Sequence, residues 1–373
     1  MVYLDYAANS PVDTEVLDTF YEVTKKYYAN PNSNHKLGLE AKKVIDDATN
    51  HIATLLGVLK EEIIYTSGAT ESNNLAVKGI CERYKNYGKH IIVSGLEHNS
   101  LIASATTMQE AGFEVDLLDV DNNGIINIEH LKELLRPDTI LVSICSVDSE
   151  LGIRQPIEEI GKIIKEYPHT VFHTDASQAI GKVDLDFSYV DLVTIAPHKF
   201  YGLNGFGALI KKKDITLKPI IHGGKSTTVY RSGTPVLGNV VAFDKALTIA
   251  LEKQKERTEY VVNLNQQVRE FLSNYEEVHI NSTENSIPYT LNFSIRGVKS
   301  DDFSKMLEEK GIFLSTKTSC CPVGTPSKLV YALTHDKNLA STSLRLSLSH
   351  LTTKEDLEEF YKAFDMCYKE VMK

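Results

Sequence analysis

The feature that most constrains the fold is an alternation of short apolar runs with helical patterns from about residue 40 to residue 250. The apolar runs include "EEIIYT", "KHIIVSG", "TILVSICSV", "TVFHTDA" and "DLVTIA". Between them lie segments such as "ESNNLAVKGICERY" and "PIEEIGKIIKEY", whose apolar residues recur at helical spacing. Strands that alternate with helices are typical of a largely parallel sheet covered by helices. The pattern therefore predicts an α/β fold with a mostly parallel central sheet.

The pattern changes after about residue 250, which indicates a second, smaller unit. A long helical run over about 238–274 is followed by the apolar runs "PYTLNFSIRG", "GIFLST" and "STSLRLSL" and by two helical patterns. The length of 373 residues also exceeds the size at which a single core usually stops growing. We predict a large α/β domain over 14–250 and a small α+β domain over 251–373, joined by the N-terminal segment 1–13.

Charge and hydropathy argue against two classes of partner. No stretch approaches the ~18 uncharged apolar residues that a membrane span requires, so no membrane association is expected. The formal net charge of −10, without a basic stripe, argues against nucleic acid as a direct ligand. The start "MVYLDYAANSP" lacks a secretory signal pattern, so we expect a cytoplasmic protein.

The cysteines do not form a recognisable framework. There are five, an odd number without a CxxC pair, which fits neither a set of disulfides nor a four-thiolate zinc site. Two of them, Cys320 and Cys321, are adjacent in the polar stretch "TKTSCCPVGTPS". A disulfide between sequence neighbours would be strained, and no spacing supports a metal, so we expect reduced thiols and no metal site.

The ends of three predicted strands carry polar residues of chemical interest. In an open α/β sheet, ligands bind at the carboxyl ends of the strands. The first end is "TSGATESNN", a glycine-containing turn that feeds a helix, and a helix N-terminus of this kind suits a phosphate group. A well-capped helix without a ligand is the alternative reading of this turn.

The second and third strand ends supply an acid and an amine. Asp175 closes the apolar run in "TVFHTDASQAIG", with Gln178 three residues later, and Lys199 follows His198 after "DLVTIA". Pyridoxal phosphate requires these parts, because a lysine forms its Schiff base and a carboxylate keeps its pyridine nitrogen protonated. Taken singly, a His-Lys pair such as His198 and Lys199 is usually a solvated surface charge.

The sequence resembles the class V aminotransferase family, and within it the cysteine desulfurases of the NifS and IscS type. The motifs that carry the resemblance run in order along almost the whole chain: "YLDYAANSP", "NPNSNH", "TSGATESNN", "EHNS", "HTDASQAIGK", "PHKFYG", "YRSGT" and "SLRLSLS". The resemblance implies the fold of the type I pyridoxal-phosphate transferases and pyridoxal 5'-phosphate as the cofactor.

Matched position by position, the resemblance also implies roles for individual residues. Lys199 is the Schiff-base lysine, Asp175 pairs with the pyridine nitrogen, Gln178 contacts the phenolic oxygen, and His98 stacks on the ring and shuttles protons. Further implied cofactor contacts are Ala69, Thr70, Ser149, His198 and Thr234. The family supplies the counterpart of Thr234 from the neighbouring subunit, so a homodimer is implied.

The same resemblance implies a substrate site and a nucleophile. Arg345 matches the guanidinium that holds the substrate carboxylate, and Asn34 in "NPNSNH" matches a second substrate contact. Cys320 matches the nucleophile, which takes sulfur from L-cysteine as a persulfide and leaves L-alanine. A sulfur-acceptor protein is then expected, either a scaffold for iron-sulfur cluster assembly or an enzyme of tRNA thiolation. Whether Cys321 also receives sulfur stays open.

Two other functions are compatible with the same residues. One is a different class V reaction, such as that of a selenocysteine lyase, a cysteine-conjugate β-lyase or an aminotransferase. The other is a protein that keeps the fold and binds a partner without turnover. The chain departs from the family pattern near the cofactor: Asp148 and Ser149 replace two asparagines, Ala196 replaces a phosphate-binding serine, and Lys225 lies in an altered glycine-rich segment.

Overall fold

The computed structural model describes residues 1–224, 227–317 and 324–372. The strands in these ranges are β1 (Val2–Tyr3), β2 (Ile63–Thr66), β3 (His90–Ser94), β4 (Glu114–Leu118), β5 (Thr139–Ser143), β6 (Val171–Asp175), β7 (Leu192–Ile195), β8 (Gly207–Lys211), β9 (Val278–Ile280), β10 (Thr290–Ile295), β11 (Ile312–Phe313) and β12 (Ser343–Ser347).

The helices are α1 (Thr14–Lys26), α2 (Lys36–Leu56), α3 (Ala69–Tyr84), α4 (Asn99–Glu110), α5 (Ile128–Leu134), α6 (Ile157–Ile164), α7 (Leu237–Glu252), α8 (Gln254–Leu272), α9 (Ser300–Glu309), α10 (Lys328–Thr334), α11 (Lys337–Thr342) and α12 (Lys354–Val371). Within the described ranges, no helix combines the length and the apolar sequence that crossing a membrane requires.

A seven-stranded sheet in the order β2-β8-β7-β6-β5-β3-β4 forms the centre of the molecule. β8 runs antiparallel to both of its neighbours, and the remaining pairs in the sheet are parallel. β3, β5, β6, β7 and β8 are buried along their whole length, which explains why they read as continuous apolar runs. The predicted mostly parallel α/β sheet is confirmed.

The C-terminal part of the chain forms a second sheet, in which β10 pairs antiparallel with β9 and β12. Aromatic side chains of α8, β10, α9 and α12, including Phe271, Phe293, Phe303 and Phe364, pack together beside this sheet. The predicted boundary at residue 250 falls inside α7, and one hydrophobic cluster includes residues from both parts of the chain. The division into two domains stays a prediction.

The N-terminal segment connects the central sheet to the C-terminal sheet. β1 pairs parallel with β11 in a separate two-stranded sheet, and Ser347 of β12 donates its backbone N–H to the carbonyl of Leu4. A few residues later, the backbone N–H and the hydroxyl of Ser10 both donate to the carbonyl of His198, beyond β7. The segment between these two anchors therefore lies where the carboxyl ends of the central strands face β12.

Candidate active site

A cavity of about 350 Å³ lies at the carboxyl ends of the parallel strands, next to Ala7 and Ala8 of the N-terminal segment. Its walls come from the turns after β2, β3, β6 and β7, from the loop after β5, and from β12. Nine of the residues singled out in the sequence line it: Ala69, Thr70, His98, Ser149, Asp175, Gln178, His198, Lys199 and Arg345.

Two of the predicted site residues, Asn34 and Thr234, lie outside this cavity, and a third lies outside the described residues. Asn34 is exposed in the turn before α2 and is absent from the described residues that line the cavity. Thr234 lines a neighbouring cavity together with Arg231, and Ser67 belongs to both cavities. Cys320, like Cys321 and Lys225, lies outside the described residues.

The turn between β2 and α3 forms an anion cradle. α3 begins at Ala69, and among the described residues no side chain caps it at Gly68. Gly68 has a φ of 147°, which a side chain would strain. A Cβ on Gly207 of β8 would lie 2.7 Å from the Cα of Gly68, so the turn rests directly on the neighbouring strand. The helix N-terminus is therefore held open toward the cavity and suits a phosphate.

Glu71, in the first turn of α3, is paired with an arginine, which offsets the repulsion between its carboxylate and a bound anion. Its carboxylate lies 3.0 Å from Nε of Arg231 and accepts the backbone N–H of Ser67 at 2.8 Å. Burial alone would raise the pKa of Glu71, but these hydrogen bonds outweigh burial and hold the pKa below its ordinary value. The carboxylate thus fixes the "RSGT" segment against the cradle.

Lys199 is presented by a tight turn at the end of β7. The strand ends at Ile195 and a 3₁₀ turn, Pro197–Lys199, follows at once. The Nζ of Lys199 donates to the carbonyl of Ala7 at 2.9 Å and to that of Ala8 at 2.6 Å. The amine therefore reaches the cavity and is held by backbone oxygens of the N-terminal segment.

Asp175, the last residue of β6, is a buried carboxylate that accepts two hydrogen bonds. Its Oδ2 accepts Nδ2 of Asn73 at 2.9 Å, and its Oδ1 accepts the backbone N–H of Ser177 at 2.9 Å. Asp175 is 7% exposed and lines the cavity. Two donors from different elements orient it, so it can face a protonated ring nitrogen without reorganisation.

Two histidines line the same cavity, and their surroundings set their protonation. Nδ1 of His98 accepts the backbone N–H of Ser100 at 3.1 Å, so the neutral imidazole carries its proton on Nε2. Burial, together with the positive charges of Lys199 and Lys182, lowers the pKa of His198 to about 4. His198 is therefore neutral at neutral pH.

Arg345 of β12 also lines the cavity. It is 1% exposed, its Nη1 donates to the carbonyl of Ser149 at 2.8 Å, and its Nη2 lies 2.6 Å from Oδ1 of Asp5. Its Nε is buried and has no hydrogen-bond partner among the described residues. A buried guanidinium with unused donor capacity beside a cavity is suited to a carboxylate ligand.

The departures from the family pattern have clear structural consequences. Asp148 is buried and accepts the backbone N–H groups of Glu150, Leu151 and Ile153, so its carboxylate holds the turn. Burial raises the pKa of Asp148 to about 6 despite these donors. Ala196 is fully buried and has no hydroxyl to offer, so it cannot supply the contact that a serine would make.

Sequence reasoning missed three titratable residues next to this site. Asp5 and Lys182 lie within the quoted motifs "YLDYAANSP" and "HTDASQAIGK", but nothing in their spacing showed that they contact Arg345 and Gln178. Glu97, which precedes His98, accepts the hydroxyl of Ser94 and the backbone N–H of Cys145. Burial, with the nearby charge of Asp175, raises the pKa of Glu97 to about 8.

A metal site was not expected from the sequence. Across residues 1–224, 227–317 and 324–372, no group of three or more His, Cys, Asp or Glu side chains is placed to hold a metal ion.

Curated relatives resemble the chain over nearly its full length. A cysteine desulfurase IscS of Dictyoglomus turgidum is 38% identical over 361 residues, covering 95% of this chain and 91% of the relative. A mitochondrial cysteine desulfurase of Arabidopsis thaliana is 36% identical over 382 residues, covering 100% of this chain and 83% of the relative.

Solved structures agree with these relatives. A structure described as a NifS-like protein superposes with a TM-score of 0.93 at 31% identity, covering 99% of both chains. A structure described as SspA in complex with cysteine gives a TM-score of 0.83 at 30% identity, covering 95% of this chain and 100% of the other. The predicted fold type is thereby confirmed. The family model described as "Aminotransferase class-V" matches residues 2–360, and the chain belongs to this family.

Proposed function

We propose that this protein is a pyridoxal-phosphate-dependent cysteine desulfurase, which converts L-cysteine to L-alanine and passes the sulfur to an acceptor. The observation that carries the proposal is one cavity that gathers an amine, a buried carboxylate, an open helix N-terminus and a buried guanidinium: Lys199, Asp175, the start of α3 and Arg345. Relatives that match nearly the whole chain are named cysteine desulfurases.

The residues present fit pyridoxal phosphate. The start of α3, which no described side chain caps, and the φ of Gly68 suit the phosphate. The oriented carboxylate of Asp175 suits the pyridine nitrogen, and the amide of Gln178 suits the phenolic oxygen. Lys199 supplies the primary amine that the cofactor's aldehyde requires. When bound, the cofactor supplies an electron sink for charge that develops at the substrate α-carbon.

Side chains of the protein bind the substrate carboxylate and transfer protons. Arg345 holds the substrate carboxylate, because its guanidinium lines the cavity and is oriented by Asp5 and by the carbonyl of Ser149. Lys199 moves the proton at the substrate α-carbon, and the carbonyls of Ala7 and Ala8 receive its ammonium. His98 holds a proton on Nε2 and serves proton transfer at the same face.

Cys320 is proposed as the nucleophile on the resemblance of its sequence position. Its thiolate attacks the substrate sulfur, so that an S–S bond forms while the bond between Cβ and sulfur breaks. The electron pair of the broken bond stays with Cβ, which takes a proton and becomes the methyl group of alanine. The persulfide on Cys320 then passes its outer sulfur to an acceptor protein.

The assembly and the partners belong to the same proposal. Thr234 does not reach the cavity of its own chain, which supports a homodimer in which it reaches the partner's cradle. Asn34 is proposed to contact substrate in that assembled state. The acceptor is a scaffold protein or a tRNA-thiolation enzyme, and the location is cytoplasmic.

Release of alanine tests the proposal. The protein is incubated with pyridoxal phosphate and L-cysteine, and alanine is quantified by mass spectrometry. Lys199→Ala is expected to abolish both alanine release and the visible band of the lysine-cofactor adduct, whereas Lys213→Ala, at an exposed position, retains both. Alanine release by Lys199→Ala at the unmodified rate would contradict the assignment.

A further inference from the structure

Lys199 lies in a turn that ends like the cap of a helix. In a common helix cap, the residue after the last helical positions is left-handed and usually glycine, and the next N–H bonds back across the turn. Here the backbone N–H of Gly202 donates to the carbonyl of Pro197 at 2.8 Å. A Cβ on Gly202 would lie 2.6 Å from Cβ of Pro197, so the turn closes tightly. The left-handed residue is Tyr201, with a φ of 68°, a conformation that a bulky residue rarely adopts.

The second hydrogen bond of this cap runs through a serine hydroxyl. In the regular cap, the N–H of the left-handed residue donates to the carbonyl three positions earlier. Here Oγ of Ser10 lies between these two groups, accepting the N–H of Tyr201 at 2.8 Å and donating to the carbonyl of His198 at 2.9 Å. A hydroxyl has one proton and two lone pairs, so it satisfies both groups at once.

The hydroxyl of Ser10 makes a contact that the other neighbours of Tyr201 do not make. Among the described residues, no other group accepts the N–H of Tyr201. The Tyr201 ring packs against His350 and Arg257, but ring contacts leave a backbone N–H unsatisfied. Ser10 is 1% exposed, so bulk water does not stand in for its hydroxyl. Without this hydroxyl, the left-handed tyrosine would carry backbone strain without a hydrogen bond at its N–H.

The same stretch of chain receives the amine of Lys199. Its Nζ donates to the carbonyls of Ala7 and Ala8, which closely precede Ser10 in the sequence. The backbone N–H of Asp13 donates to the carbonyl of Tyr201 at 2.9 Å. Residues 7–13 therefore hold both the backbone of the turn and the end of the lysine side chain. A shift of the turn against this stretch would move the amine away from its carbonyl partners.

We propose that Ser10 is a positioning residue for Lys199: its hydroxyl completes the cap of the lysine-bearing turn and thereby keeps the amine on the carbonyls of Ala7 and Ala8. The consequence for cofactor addition rests on the proposed function. The consequence for the amine concerns the protein without cofactor.

Lysine labelling in the full-length, cofactor-free protein tests the proposal. The protein is treated briefly with acetic anhydride, and mass spectrometry gives the acetylation of Lys199 relative to the exposed Lys213 in the same sample. We expect this ratio to rise at least about threefold in Ser10→Ala, because an amine released from two carbonyls is easier to reach. Ser10→Thr keeps a hydroxyl and is expected to stay within about 1.5-fold of the unmodified protein.

A second buried serine provides the matched control. Oγ of Ser282 donates to the carbonyl of Leu151 at 2.8 Å and accepts the N–H of Asn292 at 2.8 Å, so it bridges the same two kinds of group outside the turn. Ser282→Ala is expected to leave the acetylation ratio unchanged. An unchanged ratio in Ser10→Ala, or an equal rise in Ser282→Ala or in Ser10→Thr, would overturn the proposal.

Ser10→Cys keeps the falsification open if Ser10→Ala does not fold. A thiol is a weak donor and a weak acceptor, so the acetylation ratio is expected to rise at least about twofold. An unchanged ratio in Ser10→Cys would then count against the role of the hydroxyl.

The absorption band of the lysine-cofactor adduct gives a second readout. After addition of pyridoxal phosphate, Ser10→Ala is expected to form the band at least about threefold more slowly than the unmodified protein, because the amine is no longer held in place. Ser282→Ala is expected to form it at the unmodified rate. An unchanged rate in Ser10→Ala would overturn the part that concerns the cofactor. If the unmodified protein forms no adduct, the proposed function is contradicted, while the acetylation ratio still decides the role of Ser10.

Discussion

Arg345, in the wall of the candidate active site, forms an ion pair with Asp5, with 2.6 Å between Nη2 and Oδ1. The pair joins residues 340 positions apart and ties the N-terminal segment to β12. Arg345 is 1% exposed, whereas the carboxylate of Asp5 is partly accessible. The guanidinium is thereby oriented before any ligand arrives, which lowers the cost of ordering it on binding.

Replacing Asp5 tests this ion pair directly. Asp5→Asn keeps an oxygen acceptor but removes the charge that balances a buried guanidinium. We expect the free energy of unfolding to fall by about 2 kcal/mol, as measured by urea denaturation. Asp18→Asn, at an exposed position of α1, is the control and is expected to change it by less than about 0.5 kcal/mol. Equal midpoints for the two variants would refute the structural importance of the pair.

Arg345→Lys tests the assignment of the carboxylate site. A lysine ammonium cannot bond Asp5 and Ser149 and also present a planar pair of donors to a carboxylate. We expect KM for L-cysteine to rise at least about tenfold, with a smaller effect on kcat, because a charge-assisted hydrogen bond contributes about 1.5 to 3 kcal/mol. Steady-state kinetics of alanine release measures both constants. An unchanged KM would move the carboxylate site elsewhere.

Glu97 predicts a pH dependence of stability. Its pKa is raised from 4.5 to about 8 in the folded protein, so its contribution is fully present below pH 4.5 and is lost as the pH rises through about 8. The loss amounts to roughly 5 kcal/mol. Glu97→Gln has no such group. The free energy of unfolding of this variant, measured relative to that of the unmodified protein, is therefore expected to increase from pH 5 to pH 9.

Urea unfolding across that range measures the effect. Glu61→Gln, at an exposed position, is the matched control and is expected to follow the unmodified protein. Parallel profiles for Glu97→Gln and the unmodified protein would show that Glu97 does not keep its proton in the fold.

The close approach of Gly207 to Gly68 predicts that the position of the anion cradle depends on strand β8. A Cβ at this position would lie 2.7 Å from Cα of Gly68, so Gly207→Ala must displace the turn that begins α3. We expect weaker binding of pyridoxal phosphate, by about tenfold or more, and a loss of about 1 to 3 kcal/mol in stability. Gly95→Ala meets neighbours at 3.8 Å or more and serves as the control. Normal cofactor binding by Gly207→Ala would show that the cradle tolerates displacement.

The sequence predicted the features that depend on local pattern. The apolar runs are buried strands, and Asp175 and Lys199 lie at or just after the ends of β6 and β7, because parallel strands bring their carboxyl ends to one edge. The long helical run over about 238–274 was predicted without a break, but the structure divides it at Lys253 into α7 and α8. That segment contains no proline, so no local signal marks the division.

The features that escaped prediction depend on contacts between distant segments. The sequence analysis did not single out Asp5 or Lys182, because their contacts with Arg345 and Gln178 exist only once the chain has folded. Glu97 is buried because β3 and β5 are neighbours, which brings the backbone of Cys145 to its carboxylate. Burial of a charged side chain is set by tertiary packing and leaves no trace in local periodicity.

The measurement that tests the central claim most directly is the fate of sulfur and carbon in one turnover. The protein with pyridoxal phosphate is mixed with a limiting amount of L-cysteine, alanine is quantified, and the persulfide is located by mass spectrometry. The account predicts equal amounts of alanine and of persulfide on Cys320, and loss of both in Cys320→Ala. Undiminished release of alanine by Cys320→Ala would contradict it.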